Sequence, residues 1–281
     1  MYIFIFFLNI NMYKLSVLSV LKYDEPIMKE WIEHYLSEGV DHFYLVDNNR
    51  PGIEYPILSV YRDYVTLIRS KMSKVPNTPG KLINNLYINA VKGQTEWILF
   101  ASVNEYMFSQ GTRFWQIYQV LDRLDESVEK ILIPSTYFGS NGYEKQPAEI
   151  VKSFTKREKL QGMNFNEGRV ICRPEHLVEI IDEGKDVVLS QNNVNYLCNG
   201  QRADKFKFTE LAFTRLALHM NCYIPMSKEY YTNKCKQLYG LNTPAYNDAI
   251  SKFDVYNTTY NVVEDTSLAT KLYTYNPEKY H

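Results

Sequence analysis

The sequence predicts an α/β protein with a mostly parallel central sheet flanked by helices, and three observations predict it. Apolar runs at Leu15 to Tyr23, at His42 to Val46 and from Trp97 onward are too dense for alternating surface strands. They suit strands buried on both faces. Between them stand segments with apolar residues at helical spacing: Ile27, Met28, Trp31, Ile32, Tyr35 and Leu36, then Leu82, Ile83, Leu86, Tyr87, Ala90 and Val91. Finally, each apolar run breaks abruptly into polar residues, at Asp24 and Glu25, at Asp47 to Asn49, and at Ser102, Asn104 and Glu105. That is the carboxyl edge, where open α/β sheets bind ligands.

The elements follow in order. Leu15 to Tyr23 reads as the first strand, and Asp24 before Glu25 and Pro26 starts a helix that stops at Gly39. His42 to Val46 is a second strand that ends in turn chemistry, and Val65 to Ile68 a third. The helix from Leu82 closes near Gly93 and leads into the strand that begins at Trp97. Such alternation argues for right-handed crossovers and a parallel sheet. Further on, the pattern predicts a helix from Phe114 to Leu124, a strand from Ile131 to Ile133 and a glycine-containing loop from Phe138 to Gly142. A strand at Val170 to Cys172 and helices at Pro174 to Asp182 and Phe208 to Met220 come next. A helix capped by Ser227 then runs to Leu238 and ends at Gly240. Beyond Asn242 no element is assigned. Residues 12–240 are therefore expected to form one domain, 1–11 an extension before an alternative start at Met12, and 241–281 a tail that packs on the domain or mediates assembly.

Composition narrows the function classes. With 281 residues, 45% hydrophobic and 22% charged, the chain is an ordinary globular sequence, and a net charge of −1 argues against a nucleic-acid partner. The apolar run Tyr2 to Ile10 is far too short to span a membrane. Cys172, Cys198, Cys222 and Cys235 lack metal-site spacing and read as reduced buried thiols. Neither a G-x-G-x-x-G nor a G-x-x-x-x-G-K motif occurs, so the dinucleotide and P-loop versions of the architecture have no support.

Several segments together resemble a known family. Leu18 to Glu25, Trp31-Ile32-Glu33-His34-Tyr35, Gly39-Val40-Asp41-His42-Phe43-Tyr44 and Asp47-Asn48 resemble the opening of glycosyltransferase family 92 and related family-2-like enzymes. Trp97 to Tyr106 resembles that family's Trp-x-x-Phe-x-Asp-x-Asp-Glu-Phe stretch, and Phe138 to Gly142 with Phe154 to Arg157 resembles its Phe-Gly-Ser-Ser-Gly segment and following basic run. Ser227 to Lys234 resembles its late Ser-x-Glu-x-x-x-x-Lys helix. The resemblance implies a GT-A (Rossmann-like) fold and transfer of a hexose from a nucleotide sugar, with uridine diphosphate as carrier, to a glycan or glycoprotein hydroxyl. Tyr23, Asp24, Glu25, Asp47, Asn48, Ser102 and Asn104 would line the nucleotide-sugar site. By the residues alone, Asp24 reads equally as a helix cap and Asp47 as an Asx-turn residue.

Where the family carries its Asp-x-Asp pair, this chain has Ser102 and Asn104, and only Glu105 is acidic. A Mn or Mg ion would thus have Asn104, Glu105 and the late His219 as its protein ligands, a poor set for a hard cation. Three outcomes stay open: weak metal binding, a diphosphate held by another group, or loss of transfer. The alternative function is accordingly an inactive GT-A module that binds nucleotide sugar or glycan or serves assembly. Glu210 and Glu144 are the candidate proton acceptors, with a favourable charge at a helix start as the plainer reading of Glu210. Lys152, Lys156 and Arg157 are candidate phosphate contacts, while packing suits His34 and His42. Abundant Asn, Ile, Lys and Tyr suggest an AT-rich viral or microbial source. The expected protein is soluble and intracellular, with cytoplasm, including that of an infected host cell, as its address and a homo-oligomer as one assembly state.

Overall fold

A computed structural model describes residues 12–47, 49, 53–69, 88, 91–110, 115–164, 168–205 and 207–274. The chain begins with β1 (Tyr13–Leu21), α1 (Glu25–Ser37), β2 (His42–Asp47), β3 (Val65–Arg69), β4 (Thr95–Phe100) and β5 (Glu105–Ser109). Next come α2 (Ile117–Leu121), β6 (Lys130–Phe138), α3 (Ile150–Ser153), β7 (Lys156–Arg157), β8 (Gln161–Asn164) and β9 (Gly168–Cys172). The pair β10 (Leu177–Ile181) and β11 (Asp186–Leu189) is followed by β12 (Lys207–Thr209), α4 (Glu210–Phe213) and β13 (Leu218–Tyr223). The last elements are α5 (Lys228–Tyr239), α6 (Pro244–Tyr260), β14 (Val263–Glu264) and α7 (Ser267–Thr274).

β1 sits inside a ten-stranded sheet, between β2 and β4 and parallel to both, with β3 parallel to β2 on the outside. Val20 lies beside Val46 and Leu18 beside Phe100. Beyond β4 the antiparallel β9 leads to β6, and β13 runs parallel to β6 with β5 antiparallel beside it. Short β7 and β14 continue from the end of β6. All strands of this sheet except β5, β7 and β9 therefore point the same way. The fold is α/β with a mostly parallel sheet flanked by helices.

Burial explains why β1 reads as a dense apolar run. Leu15, Val17 and Leu21 face one core, where they meet Trp31 and Tyr35 of α1, while Leu18 and Val20 face a second core on the other side of the sheet. A strand buried on both faces has no solvent side to alternate with. The second face is where expectation and structure part. The pattern predicts a helix over Pro174 to Asp182, yet the segment is the strand β10, paired antiparallel with β11, between short 3-10 turns at Pro174–His176 and Asp182–Gly184. Leu177 and Ile180 of β10, with Val187 and Leu189 of β11, roof the second core. The other correction is Phe208 to Met220: a three-residue strand, one helical turn and then β13, every residue of which is buried between β5 and β6. Pairing on both edges outweighs the segment's helical spacing.

The predicted third strand is β3, and the Phe114 to Leu124 helix contracts to α2. The Leu82 to Val91 helix lies almost entirely outside the described residues, of which Ile88 and Val91 are buried on the second face. The region left unassigned after Asn242 contains the seventeen-residue α6, capped by Thr243. Further on, α7 buries Leu268 and Ala269 in the larger core. All four cysteines are buried and free. Among the described residues, no helix is long and apolar enough to cross a membrane.

Candidate functional site

In the order β3-β2-β1-β4 the chain steps outward from β1 to β3 and then returns to β1's other side. The crevice between the carboxyl ends of β1 and β4 is therefore a topological switch point. Three polar stretches converge on this edge: Lys22 to Asp24 after β1, Asp47 and Asn49 after β2, and Ser102 to Glu105 after β4.

After β1, Tyr23 takes a left-handed backbone at φ 60° and donates its N–H to Asn49 Oδ1 at 3.1 Å. Asp24 does not cap α1 with its side chain. One carboxylate oxygen accepts the Lys22 N–H at 2.7 Å and the other accepts Lys234 of α5 in an ion pair, leaving Asp24 2% exposed. Burial pulls the Lys234 ammonium down, but Asp24 beside it more than restores the charged form. Glu25 stands exposed in the first turn of α1. Asp47 Oδ1 accepts the Asn49 N–H at 3.0 Å, an Asx turn, and the Tyr55 hydroxyl at 3.1 Å. Asn48 lies outside the described residues. A cavity of about 650 Å³ opens beside Tyr23, lined also by Ile53, Tyr230, Asn233, Lys234 and Gln237.

After β4 the chain is pinned from both sides. The Trp31 indole and the Tyr35 hydroxyl each donate to the Glu105 carbonyl at 3.0 Å. Asn104 exchanges bonds with Tyr223 at the end of β13: its carbonyl accepts at 2.9 Å and its amide donates at 3.3 Å. The Glu105 carboxylate turns inward. Its Oε2 accepts the Ser102 N–H at 2.8 Å and Arg169 Nε of β9 at 2.6 Å, and its Oε1 lies 3.7 Å from the Cys222 thiol. Arg169 also donates to Ser102 Oγ at 3.1 Å and to the Glu183 carbonyl at 3.4 Å. Burial lowers the affinity of Arg169 for its proton, and Glu105 raises it by more, so the guanidinium is firmly charged. Burial, with Glu105 second, drives the Cys222 thiol the other way, toward the neutral form.

These contacts decide the fit of a divalent cation. Ser102 and Asn104 are neutral, and Glu105 already spends its charge on Arg169. His219 does not join them. It faces Phe108 across the β5–β13 ladder, three positions from the Glu105–Cys222 pair, so it projects from the opposite face. There its Nε2 bonds the Leu216 carbonyl at 3.1 Å, its ring packs on Phe108 and Phe213, and burial pushes its pKa down to about 4. Among the described residues, no group of three His, Cys, Asp or Glu side chains could hold a metal ion. The described residues at this edge do not fit a Mg or Mn site.

The candidate proton acceptors lie apart. Glu210 opens α4 and is gripped by Arg157 through two bonds, at 3.1 and 2.8 Å, with the Leu160 N–H at 2.9 Å; Arg157 holds its carboxyl below the usual range. Arg157 reaches Asp265 too, so this guanidinium braces the fold. Glu144, in the loop after β6, is exposed and 3.8 Å from Lys228. Lys152 pairs with Glu149, and Lys156 is exposed. His34 bonds the Met107 carbonyl at 2.6 Å, and His42 stacks on Tyr13 with ring centroids 4.5 Å apart.

Sequence reasoning missed Lys22, Arg169 and Glu183. The signal for Arg169 was present: one charge inside Gly168-Arg169-Val170-Ile171-Cys172 must find a buried partner. Nothing local announced Lys22 or Glu183, which lie 161 residues apart and meet in an ion pair.

No family model and no curated protein matches the chain. Among solved structures, residues 1–349 of TarS from S. aureus overlap it with a TM-score of 0.40 and 15% identity over 86% of this chain and 71% of that one. A mannosyltransferase, PcManGT from Pyrobaculum calidifontis in complex with GDP-mannose and Mn2+, gives a TM-score of 0.31 and 13% identity over 44% of this chain and 36% of that one. At such overlaps it is the strand order and direction within the chain, and not the likeness, that carries the fold.

Proposed function

We propose that this protein is a GT-A-like glycosyltransferase that binds a nucleotide sugar, with uridine diphosphate as the first carrier to test, and transfers its hexose to a glycan or glycoprotein hydroxyl. The observation that carries the reading is the switch point between β1 and β4, edged by Tyr23, Asp47, Asn49, Ser102 and Asn104. A crevice of that kind is where open α/β sheets bind their ligands. The aromatic face of Tyr23 would stack on the base, and the polar groups after β2 and β4 would receive ribose and phosphate. Of the two candidate proton acceptors, both apart from this edge, Glu144 is exposed while Glu210 is committed to Arg157, so Glu144 is the one to test as the base.

Isothermal titration with UDP, GDP and their hexose conjugates, with Mn and with EDTA, tests the reading. Binding in the micromolar to millimolar range is expected, and no heat from any nucleotide at millimolar concentration sinks it. The buried Glu105–Arg169 pair favours a second reading, a module that binds nucleotide sugar without turnover. Release of free nucleotide from a donor by the purified protein, lost in Glu144→Gln, excludes that second reading.

A further inference from the structure

Two cations from different strands meet at the switch point, and a loop carboxylate covers them. Lys22 leaves the end of β1 and Arg169 rises from β9, on either side of the β4 end that leads to Ser102. Both touch Glu183: Lys22 pairs with its carboxylate, and Arg169 donates to its carbonyl at 3.4 Å. Glu183 sits at the tip joining β10 to β11. The tip is conformationally costly, because Asp182 and Glu183 are left-handed at φ 44° and 56° and Gly184 follows at φ 91°. Non-glycine residues are strained in that region. Gly184 presses so closely on Phe100 that an added Cβ would lie 2.0 Å from the Phe100 Cβ. A strained acidic tip is thus seated on the carboxyl end of β4, held there by cations.

We propose that Lys22 and Arg169 form the binding site for the diphosphate of the nucleotide sugar, doing by guanidinium and ammonium what the Ser102-Val103-Asn104-Glu105 stretch is unsuited to do with a metal ion, and that Glu183 is the stand-in anion which the diphosphate displaces. The proposal rests on the glycosyltransferase reading. Displacing Glu183 frees the Lys22 ammonium from the carboxylate it pairs with, while Glu105 still balances Arg169 and Asp182 of the same tip lies near both cations. A planar guanidinium suits bidentate phosphate contact, and Arg169 has N–H groups beyond the three contacts named above. The Lys22 and Glu183 side chains are 36% and 20% exposed, so their pair can open without unpacking the core.

Titration of the full chain in EDTA with UDP, GDP and inorganic pyrophosphate tests the proposal in wild type, Lys22→Gln and Glu183→Gln. Removing the competing carboxylate is expected to tighten binding about three- to fivefold, the scale of a partly exposed ion pair. Lys22→Gln is expected to weaken it about tenfold, the scale of a charge-assisted phosphate contact. A merely structural role for the pair would not let Glu183→Gln bind more tightly. Pyrophosphate binding with these two opposite shifts, but no nucleotide binding, keeps the anion site and overturns the nucleotide reading. UDP or GDP binding that is equal in all three proteins, or that vanishes in EDTA, overturns the cation pair and keeps the nucleotide reading. Silence from every ligand in every protein overturns both.

Discussion

Glu105 shows how one side chain can lie where family resemblance places a ligand and still serve another purpose. Its carbonyl fastens α1 through Trp31 and Tyr35, and its carboxylate neutralises Arg169 beneath the crevice. Such a pair lowers the cost of an arginine buried to 7% exposure, and breaking it would leave an uncompensated charge. His34 offers a cleaner test at the same scale. It is buried beside the Met107 carbonyl, and desolvation pushes its pKa from 6.5 to about 3. The unfolded chain therefore binds a proton that the folded chain refuses between those values. Stability supplied by neutral His34 is present above pH 6.5 and is lost as pH falls toward 3, by about 1.4 kcal/mol per pH unit within the window. Urea titrations of wild type and His34→Gln from pH 7 to 4.5 are expected to differ in pH slope by about one proton.

Elements carry their own signals when caps are local. Ser227 accepts the Tyr230 N–H at 3.1 Å and donates to Gln146 at 2.8 Å, so it starts α5 and ties it to the loop after β6. Ser227→Ala is expected to cost about 1–2 kcal/mol by chemical denaturation, with Ser227→Thr recovering part of the loss. Strands whose partners are distant carry weaker signals. β13 holds polar His219 and Asn221 among apolar residues, and its identity comes from β5 and β6 on either side. β10 alternates imperfectly and carries a register shift at Leu177 and Glu179, which blurs the two-residue period. The chain after Asn242 was unreadable for another reason: α6 buries only Ala249 and Phe253, too narrow a stripe to stand out.

Across the whole molecule, the last described helix locks onto the first half. Lys271 of α7 pairs with Glu38, which is 1% exposed just past α1, and bonds Ser109 of β5 at 2.8 Å. β14 pairs with β7, and Asp265 holds Arg157. Lys271→Met is expected to cost about 3–5 kcal/mol near neutral pH, because Glu38 would stay buried without its cation. Burial already raises the Glu38 pKa, so protonation removes the stranded charge and the loss should shrink as pH falls. Unfolding curves for the variant at pH 7 and pH 4.5 check both the size and the sign.

What the sequence determined by itself was the parallel half of the sheet and the edge on which to look. Dense apolar runs and the caps between them are local, and strands buried on both faces declare themselves through composition alone. It also marked Ser102 and Asn104 as poor metal ligands. Only the tertiary structure decided what the edge residues do. Asp24 meets Lys234 across 210 residues, Glu105 meets Arg169 across 64, and Lys22 meets Glu183 across 161. A charge's partner depends on which distant strand returns beside it, and no local period encodes that return.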